Sequence, residues 1–181
     1  MAAIELHSSL GPANTTVSMI AERAGVQRHT FYSHFPDERS MLMACSGHCL
    51  EQDPPPDAAP WRAIADPAER LGVGLSAVYG WYERNADLLG CVLRDAEHHR
   101  LVREIVDLRY GPRIASFHDA LGEGCSAGQR AMLALALSYY TWRTLRRAAA
   151  LTRADAVAAM VQAVSGLEVA TASKRCDDRI S

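Results

Sequence analysis

Proline and glycine divide this sequence into segments of helical length. The spacing of these residues restricts the possible folds more strongly than any other feature of the sequence. Between the breaks, apolar residues recur at helical spacing, with no alternating run and no two-residue hairpin signal. We therefore predict an all-α protein of about nine helices. The predicted helices span residues 2–10, 16–24, 27–35, 37–52, 67–84, 86–97, 99–121, 127–150 and 153–171.

A proline-rich segment, residues 53–60, separates short helices from longer ones. Its four prolines cannot continue a helix, so the segment is expected to form a short, stiff connection. We predict two domains, residues 1–52 and residues 61–181.

The composition argues against a disordered, membrane-spanning or secreted protein. The 181 residues are 49% hydrophobic with a formal net charge of −2, which is typical of a soluble globular chain. No apolar run is long enough to span a membrane, and the first ten residues lack the pattern of a secretion signal. The five cysteines are an odd number, which favours reduced thiols over a disulfide framework. We expect a cytoplasmic protein that does not bind membranes.

Residues 15–35 carry the pattern of a helix-turn-helix. Ala21 is small where two helices would cross, Gly25 breaks the first helix, and Val26 is expected to fill the corner. Phe31 and Phe35 would form the apolar stripe of the second helix. A turn this tight leaves the start of the second helix protruding, where it could enter a DNA major groove about 12 Å wide.

The protruding end carries side chains suited to DNA. Gln27 and Arg28 belong to the types that contact purine edges, and the hydroxyls of Thr30 and Tyr32 suit phosphate. A plain helical hairpin with a solvated polar face stays open as an alternative.

The residue pattern of this segment also resembles that of a known protein family. Residues 15–42 resemble the DNA-binding segment of the TetR (tetracycline repressor) family of bacterial transcription regulators. The matching residues are Thr15, Thr16, Val17, Ile20, Ala21, Ala24, Gly25, Val26, Thr30, Phe31, Tyr32, His34, Phe35 and Leu42.

The resemblance implies a fold and roles for particular residues. It implies a helix-turn-helix DNA-binding head at residues 1–52 and a helical ligand-binding and dimerisation domain at residues 61–181. The positions expected to read bases are Gln27, Arg28, His29 and Thr30. Those expected to contact the DNA backbone or brace the motif are Thr16, Tyr32 and His34.

The charge of the head is unusual for a DNA-binding domain. Residues 1–52 contain three arginines against five acidic residues, whereas neutralising phosphate normally requires a basic surface. Four histidines could add charge at mildly acidic pH. We expect weak operator binding that depends strongly on pH and salt, or an N-terminus that is too short.

The last two predicted helices are candidates for a dimer interface. Helix 127–150 is apolar nearly all round, and helix 153–171 is rich in small residues. Helices apolar on more than one face are buried on more than one side, so we predict a four-helix homodimer interface. An internal hairpin in a monomer is the alternative.

Aromatic side chains on the middle helices suggest a small-molecule site. The candidates are Trp81, Tyr82, Tyr110, Phe117, His118, Tyr139 and Trp142. An apolar cavity with a few polar groups is the usual form of such a site, although each of these residues could equally be ordinary core.

Enzyme and metal functions lack the patterns they require. No phosphate-binding loop, nucleophile elbow or HExxH motif occurs, and His98 and His99 point in different directions on a helix. We predict no catalytic residues, no metal and no cofactor.

These observations lead to one functional prediction and one rival. We predict a homodimeric regulator, a repressor, that binds double-stranded operator DNA and is released by a small apolar or aromatic effector. The rival is a regulator-like helical protein that binds a small molecule or a partner and whose head no longer binds DNA.

Overall fold

The computed structural model describes residues 1–167, and this part of the chain is helical and has no strand. It contains ten α-helices. They are α1 (Ala2–Ser9), α2 (Val17–Ala24), α3 (Arg28–His34), α4 (Glu38–Gln52), α5 (Pro67–Arg84), α6 (Ala86–Ala96), α7 (Arg100–Leu121), α8 (Ala127–Ala136), α9 (Tyr139–Arg143) and α10 (Arg153–Ser165). Short 3-10 turns occupy Pro12–Asn14 and Ala59–Ala63. The all-α prediction is confirmed.

Two compact units divide the chain. The first unit contains residues 1–56 and 81–114, and the second contains residues 57–80 and, of the described chain, 115–167. The boundaries between the units fall after residue 56, within α5 and within α7. The predicted division into a DNA-binding domain at residues 1–52 and a ligand-binding domain at residues 61–181 stays a prediction, because compactness does not test which residues bind DNA or ligand.

Helices α4 and α8 begin close to the predicted residues, and each starts with a side-chain cap. Asp37 accepts a hydrogen bond from the Ser40 backbone amide at 2.7 Å, and Ser126 accepts one from Gln129 at 3.3 Å. Both pairs form complete capping boxes. Such caps satisfy backbone donors that have no partner in the first helical turn.

One helix differs from its prediction. The predicted helix 127–150 is three pieces: α8, α9 and a π-helical turn at Thr144–Ala148. Ser138 has extended backbone angles and its side chain accepts a hydrogen bond from the Tyr140 amide at 3.2 Å. A new helix therefore begins where the apolar pattern predicted continuity. The end of the predicted helix 153–171 lies outside the described residues.

The core of the first unit joins the short N-terminal helices to α6 and α7. Its buried members are Ile20, Phe31, Met41, Leu42, Ala96, Val102 and Ile105. Helix α1 packs on both α2 and α6. At the end of α4, Asp53 bonds the Arg84 guanidinium at 2.9 Å and the Asn85 amide at 2.7 Å. These contacts hold the end of α5 against the end of α4 and lower the pKa of Asp53, chiefly through the Arg84 hydrogen bond.

The second unit has a core of its own. Its fully buried side chains include Leu75, Tyr79, Phe117 and Leu133, and α10 packs on α8. Gly74 allows a close approach, because a Cβ there would lie 2.6 Å from the side chain of Leu121. Within residues 1–167, no helix is both long enough and apolar enough to cross a membrane.

Candidate functional site

The turn between α2 and α3 has the geometry of a tight helix-turn-helix. The Val26 amide donates to the Ala21 carbonyl at 2.9 Å, and the Gly25 amide donates to Glu22 at 3.1 Å. Gly25 has φ of +68°, in the left-handed region that favours glycine. This is a Schellman motif, which ends α2 sharply and allows α3 to begin at Arg28.

The inner face of this motif is apolar, as predicted, with one exception. Ile20, Ala21 and Phe31 are at most 6% exposed, and the Phe31 ring lies 5.3 Å from that of Phe35. Val26, which was expected to fill the corner, is 42% exposed. The packing of Phe31 therefore holds α3 in place without help from Val26.

The residues predicted to bind DNA lie on one continuous segment. Gln27, Arg28 and His29 are exposed at the start of α3, where Thr30 is half-buried. Tyr32, His34 and Thr16 are also exposed, and the Thr16 hydroxyl caps α2 by accepting from the Met19 amide at 3.3 Å. Their contacts with DNA stay a prediction.

Ion pairs neutralise two arginines of the head. Arg23 pairs with Glu5 at 2.7 Å, and Arg39 pairs with Glu104 at 3.0 Å. Arg28 instead donates a hydrogen bond to the hydroxyl of Ser18. In the described part of the chain, Arg28 is thus the arginine of residues 1–52 that carries no carboxylate partner.

A buried carboxylate holds the turn that leads into α2, and the sequence did not reveal it. Asp95, at the end of α6, is 5% exposed and accepts a hydrogen bond from the Ala13 amide at 2.9 Å. It also pairs with Arg94, which donates to the Leu10 carbonyl at 2.8 Å. We refer to these contacts of Arg94 and Asp95 with residues 10–13 as the turn clamp.

A small cavity of about 50 Å³ lies within the first unit. Residues of α1, α4, α6 and α7 line it, and most of them are apolar. His7 lines the cavity and is 3% exposed, yet its Nε2 atom has no hydrogen-bond partner. Burial lowers the pKa of His7, and the charge of Asp95 partly opposes that effect. This cavity was not among the sites predicted from the sequence.

The predicted ligand-binding residues are divided between the two units, three in the first and four in the second. In the first unit, the Trp81 ring lies 5.6 Å from Tyr82 and 5.8 Å from Tyr110. In the second unit, Phe117 packs on Trp61 at 5.4 Å and Tyr139 packs on Trp142 at 5.2 Å, while His118 is half-buried. Of the seven candidates, Tyr110 lines the 50 Å³ cavity. Their role in ligand binding stays a prediction.

Metal-ligating side chains are not grouped in residues 1–167. No cluster there brings together three or more His, Cys, Asp or Glu residues that could hold a metal ion. The described cysteines, Cys45, Cys49, Cys91 and Cys125, are free thiols.

Comparison with known proteins bears on the head and on the fold. Residues 1–45 match the family model described as "Bacterial regulatory proteins, tetR family". The resemblance predicted from residues 15–42 is therefore confirmed. No curated protein matches the sequence.

Two solved structures share the fold over most of the chain. One is a putative fatty acid metabolism regulator from Clostridium perfringens, at 16% identity and a TM-score of 0.67, with 90% of this chain and 94% of that chain covered. The other is the transcriptional regulator FadR from Bacillus subtilis in complex with stearoyl-CoA, at 18% identity and a TM-score of 0.61, with the same coverage. At these identities the likeness concerns the fold alone.

Proposed function

We propose that this chain, which has a TetR-family N-terminal segment and the helical fold of that family's regulators, represses transcription by binding operator DNA. Helix α3 would enter the major groove, with Gln27, Arg28, His29 and Thr30 facing bases. Thr16, Tyr32 and His34 would contact the backbone or brace the motif. The observation that carries the proposal is the exposed polar start of α3, which follows a Schellman turn and stands on a packed Phe31.

A homodimer would give the two recognition helices a fixed separation. Two half-sites of a palindrome lie about 34 Å apart along DNA, so two heads must be joined rigidly. Helices α8 and α10 are the proposed interface. Leu135 on α8 is 56% exposed, and Ala154 and Ala158 on α10 are also exposed. Exposed apolar and small side chains suit the close packing of helices across an interface.

The proposed effector is a small apolar molecule. Fatty-acid chemistry is common to the two structural neighbours, because one is described as a fatty acid metabolism regulator and the other is in complex with stearoyl-CoA. The acyl chain supplies the apolar part of such a ligand, so long-chain fatty acids and their CoA esters are tested first, and small aromatic molecules second. The effector must bind the DNA-incompetent arrangement more tightly, because only differential affinity shifts the equilibrium.

The test measures binding of the full chain to its own upstream intergenic DNA by fluorescence anisotropy at about 50 and 200 mM salt. We expect specific binding that weakens steeply with salt. Arg28→Ala should weaken it about tenfold or more if Arg28 contacts a base. Arg62→Ala is the matched control, since Arg62 is an exposed arginine of the second unit, and it should change affinity less than about twofold.

A second candidate function is a helical ligand- or partner-binding protein whose head does not bind DNA. The pairing of Arg23 with Glu5 and of Arg39 with Glu104 favours it, because these cations are already neutralised. A folded dimer, verified by light scattering, that binds no DNA at either salt would support this candidate over the repressor.

A further inference from the structure

The cavity of the first unit has the chemical character of a small-molecule site. Four helices surround it, and its walls include Ile4, Leu42, Leu88, Val92, Val102 and Ile105. Mostly apolar walls with few polar groups are typical of ligand sites in proteins. Its volume of about 50 Å³ is several times the roughly 10–15 Å³ that one water molecule requires.

One polar group in this wall lacks a partner. His7 is 3% exposed, and its Nε2 atom makes no hydrogen bond in the described part of the chain. Buried nitrogen atoms are nearly always hydrogen-bonded, because leaving one unpaired loses the hydration it had in the unfolded chain. Another polar group of the wall, the Ser46 hydroxyl, is already engaged by Met43 and Arg109 at 3.1 and 3.2 Å. Of these two groups, His7 is the one with a buried atom that has no partner.

The titratable groups around the cavity favour their neutral forms. Burial raises the pKa of Cys45 to about 11 and that of Tyr110 to about 12, and it also raises the pKa of the Cys49 thiol. Burial likewise lowers the pKa of His7. The same desolvation would act on a charged ligand, so an uncharged molecule suits this environment.

We propose that this cavity binds a short uncharged molecule with an apolar body and one hydrogen-bonding group, of which a short primary alcohol is the simplest example. The polar group bonds His7 Nε2, and the carbon chain packs between α4, α6 and α7. The volume suits about four non-hydrogen atoms, which is the size of 1-propanol. The proposal goes beyond DNA binding, because the site stands whether or not α3 binds an operator.

The experiment titrates 1-propanol into the full chain labelled with ¹⁵N-histidine and follows the imidazole resonances by NMR. The His7 signals are assigned by their loss in His7→Phe, a ring of similar size without nitrogen. We expect a saturable shift of the His7 signals and no saturable shift of the exposed His48. Propionate, similar in size but charged, should give at least tenfold weaker binding. Equal binding of propionate would overturn the choice of an uncharged ligand.

Variants separate the site from general effects of alcohol. Propanol binding, followed by changes in intrinsic fluorescence, should weaken at least tenfold in His7→Phe and remain within twofold in His48→Phe. If His7→Phe does not fold, Cys49→Leu fills the cavity from α4 and should abolish the His7 shift. A His7 signal that does not change up to high propanol concentration means that the cavity holds water alone, which would overturn the proposal. DNA binding is measured on the same samples, so loss of one activity is distinguishable from loss of the other.

Discussion

The carboxylate of Asp95 accepts a hydrogen bond from the backbone amide of Ala13 at 2.9 Å, between residues 82 positions apart in the sequence. Asp95 is 5% exposed at the end of α6, whereas Ala13 lies in the short turn before α2. The turn clamp thus fixes the chain that leads into the helix-turn-helix by a contact with α6. Any displacement of the end of α6 would be transmitted to this turn.

Removing the carboxylate tests the strength of the turn clamp. Asp95→Ala leaves the Ala13 amide without its partner and takes a charged partner from Arg94. Charge-assisted hydrogen bonds contribute about 1.5–3 kcal/mol, so we expect the free energy of unfolding to fall by about 2 kcal/mol. Asp107→Ala, an exposed carboxylate on α7, is the control and should change it by less than about 0.5 kcal/mol in urea denaturation. Equal losses in both variants would mean that the clamp contributes no stability.

Three glycine substitutions separate backbone strain from collision. Gly11 has φ of +95°, and a Cβ there would lie 2.3 Å from Asp95 Oδ2. Gly25 has φ of +68° with open space around it, and Gly128 is an exposed helical residue of α8, also with open space. We expect Gly11→Ala to cost about 3 kcal/mol, because strain adds to loss of the clamp, and Gly25→Ala about 1 kcal/mol from strain alone. Gly128→Ala should stabilise by up to about 1 kcal/mol. Thermal unfolding of the three variants ranks their stabilities. A Gly11→Ala variant at least as stable as Gly25→Ala would contradict the collision between a Cβ at residue 11 and Asp95.

The hydrogen bond from Arg28 to Ser18 should compete with DNA. If Arg28 contacts a base, it must first leave Ser18, at a cost of about 1 kcal/mol for one hydrogen bond. We expect Ser18→Ala to tighten operator binding by up to about fivefold, with no effect in the Arg28→Ala background. Ser76→Ala, at an exposed position of α5, is the control. If Ser18→Ala also tightened operator binding in the Arg28→Ala background, the effect would not arise from the release of Arg28.

The features that could be predicted from the sequence are those that depend on local residue patterns. The sharp end of α2 followed from Gly25, and the start of α8 followed from the Ser126–Gln129 pair, because each signal lies within a few residues of its effect. A distant residue also contributes at the end of α8. The hydroxyl of Tyr79 donates to the Ala136 carbonyl at 2.8 Å, and this buried bond satisfies a carbonyl at the break. The pattern of residues 127–150 does not reveal this contact.

The same distinction holds for the candidate site. The exposed face of α3 followed from helical spacing around Phe31. The turn clamp and the cavity could not be predicted, because Asp95 and His7 acquire their roles from packing between α1 and α6. In the structure, His7 carries a buried ring nitrogen without a hydrogen-bond partner.

The hydrogen bond from Tyr79 to Ala136 can be tested by removing its donor. Tyr79→Phe removes the donor to Ala136 and leaves the ring in place, so the carbonyl loses its partner while packing is preserved. We expect the free energy of unfolding to fall by about 1–2 kcal/mol. Tyr32→Phe removes an exposed hydroxyl and should have almost no effect on stability. If chemical denaturation gives equal values for the two variants, water must replace the lost donor.

His7 should make stability depend on pH. Burial lowers its pKa in the folded chain, so the unfolded chain takes up the proton first as the pH falls below the ordinary histidine value of about 6.5. Stability is therefore complete above that pH and decreases as the pH falls toward the lowered value. Asp95 attracts the proton and reduces this loss, while the Cys45, Cys49 and Tyr110 groups at the cavity stay neutral throughout this range.

His7→Phe removes the titrating group and retains an aromatic ring in the cavity wall. We expect its melting temperature at pH 7.5 to equal or exceed that of the wild type, because the unpaired nitrogen is gone. Between about pH 6.5 and 5, its melting temperature should fall less than that of the wild type, whereas His48→Phe, an exposed site on α4, should follow the wild type. Differential scanning fluorimetry across this range provides the comparison. Parallel curves for wild type and His7→Phe would show that His7 takes up its proton equally well in the folded and unfolded chains, and the pH dependence would then arise from other groups.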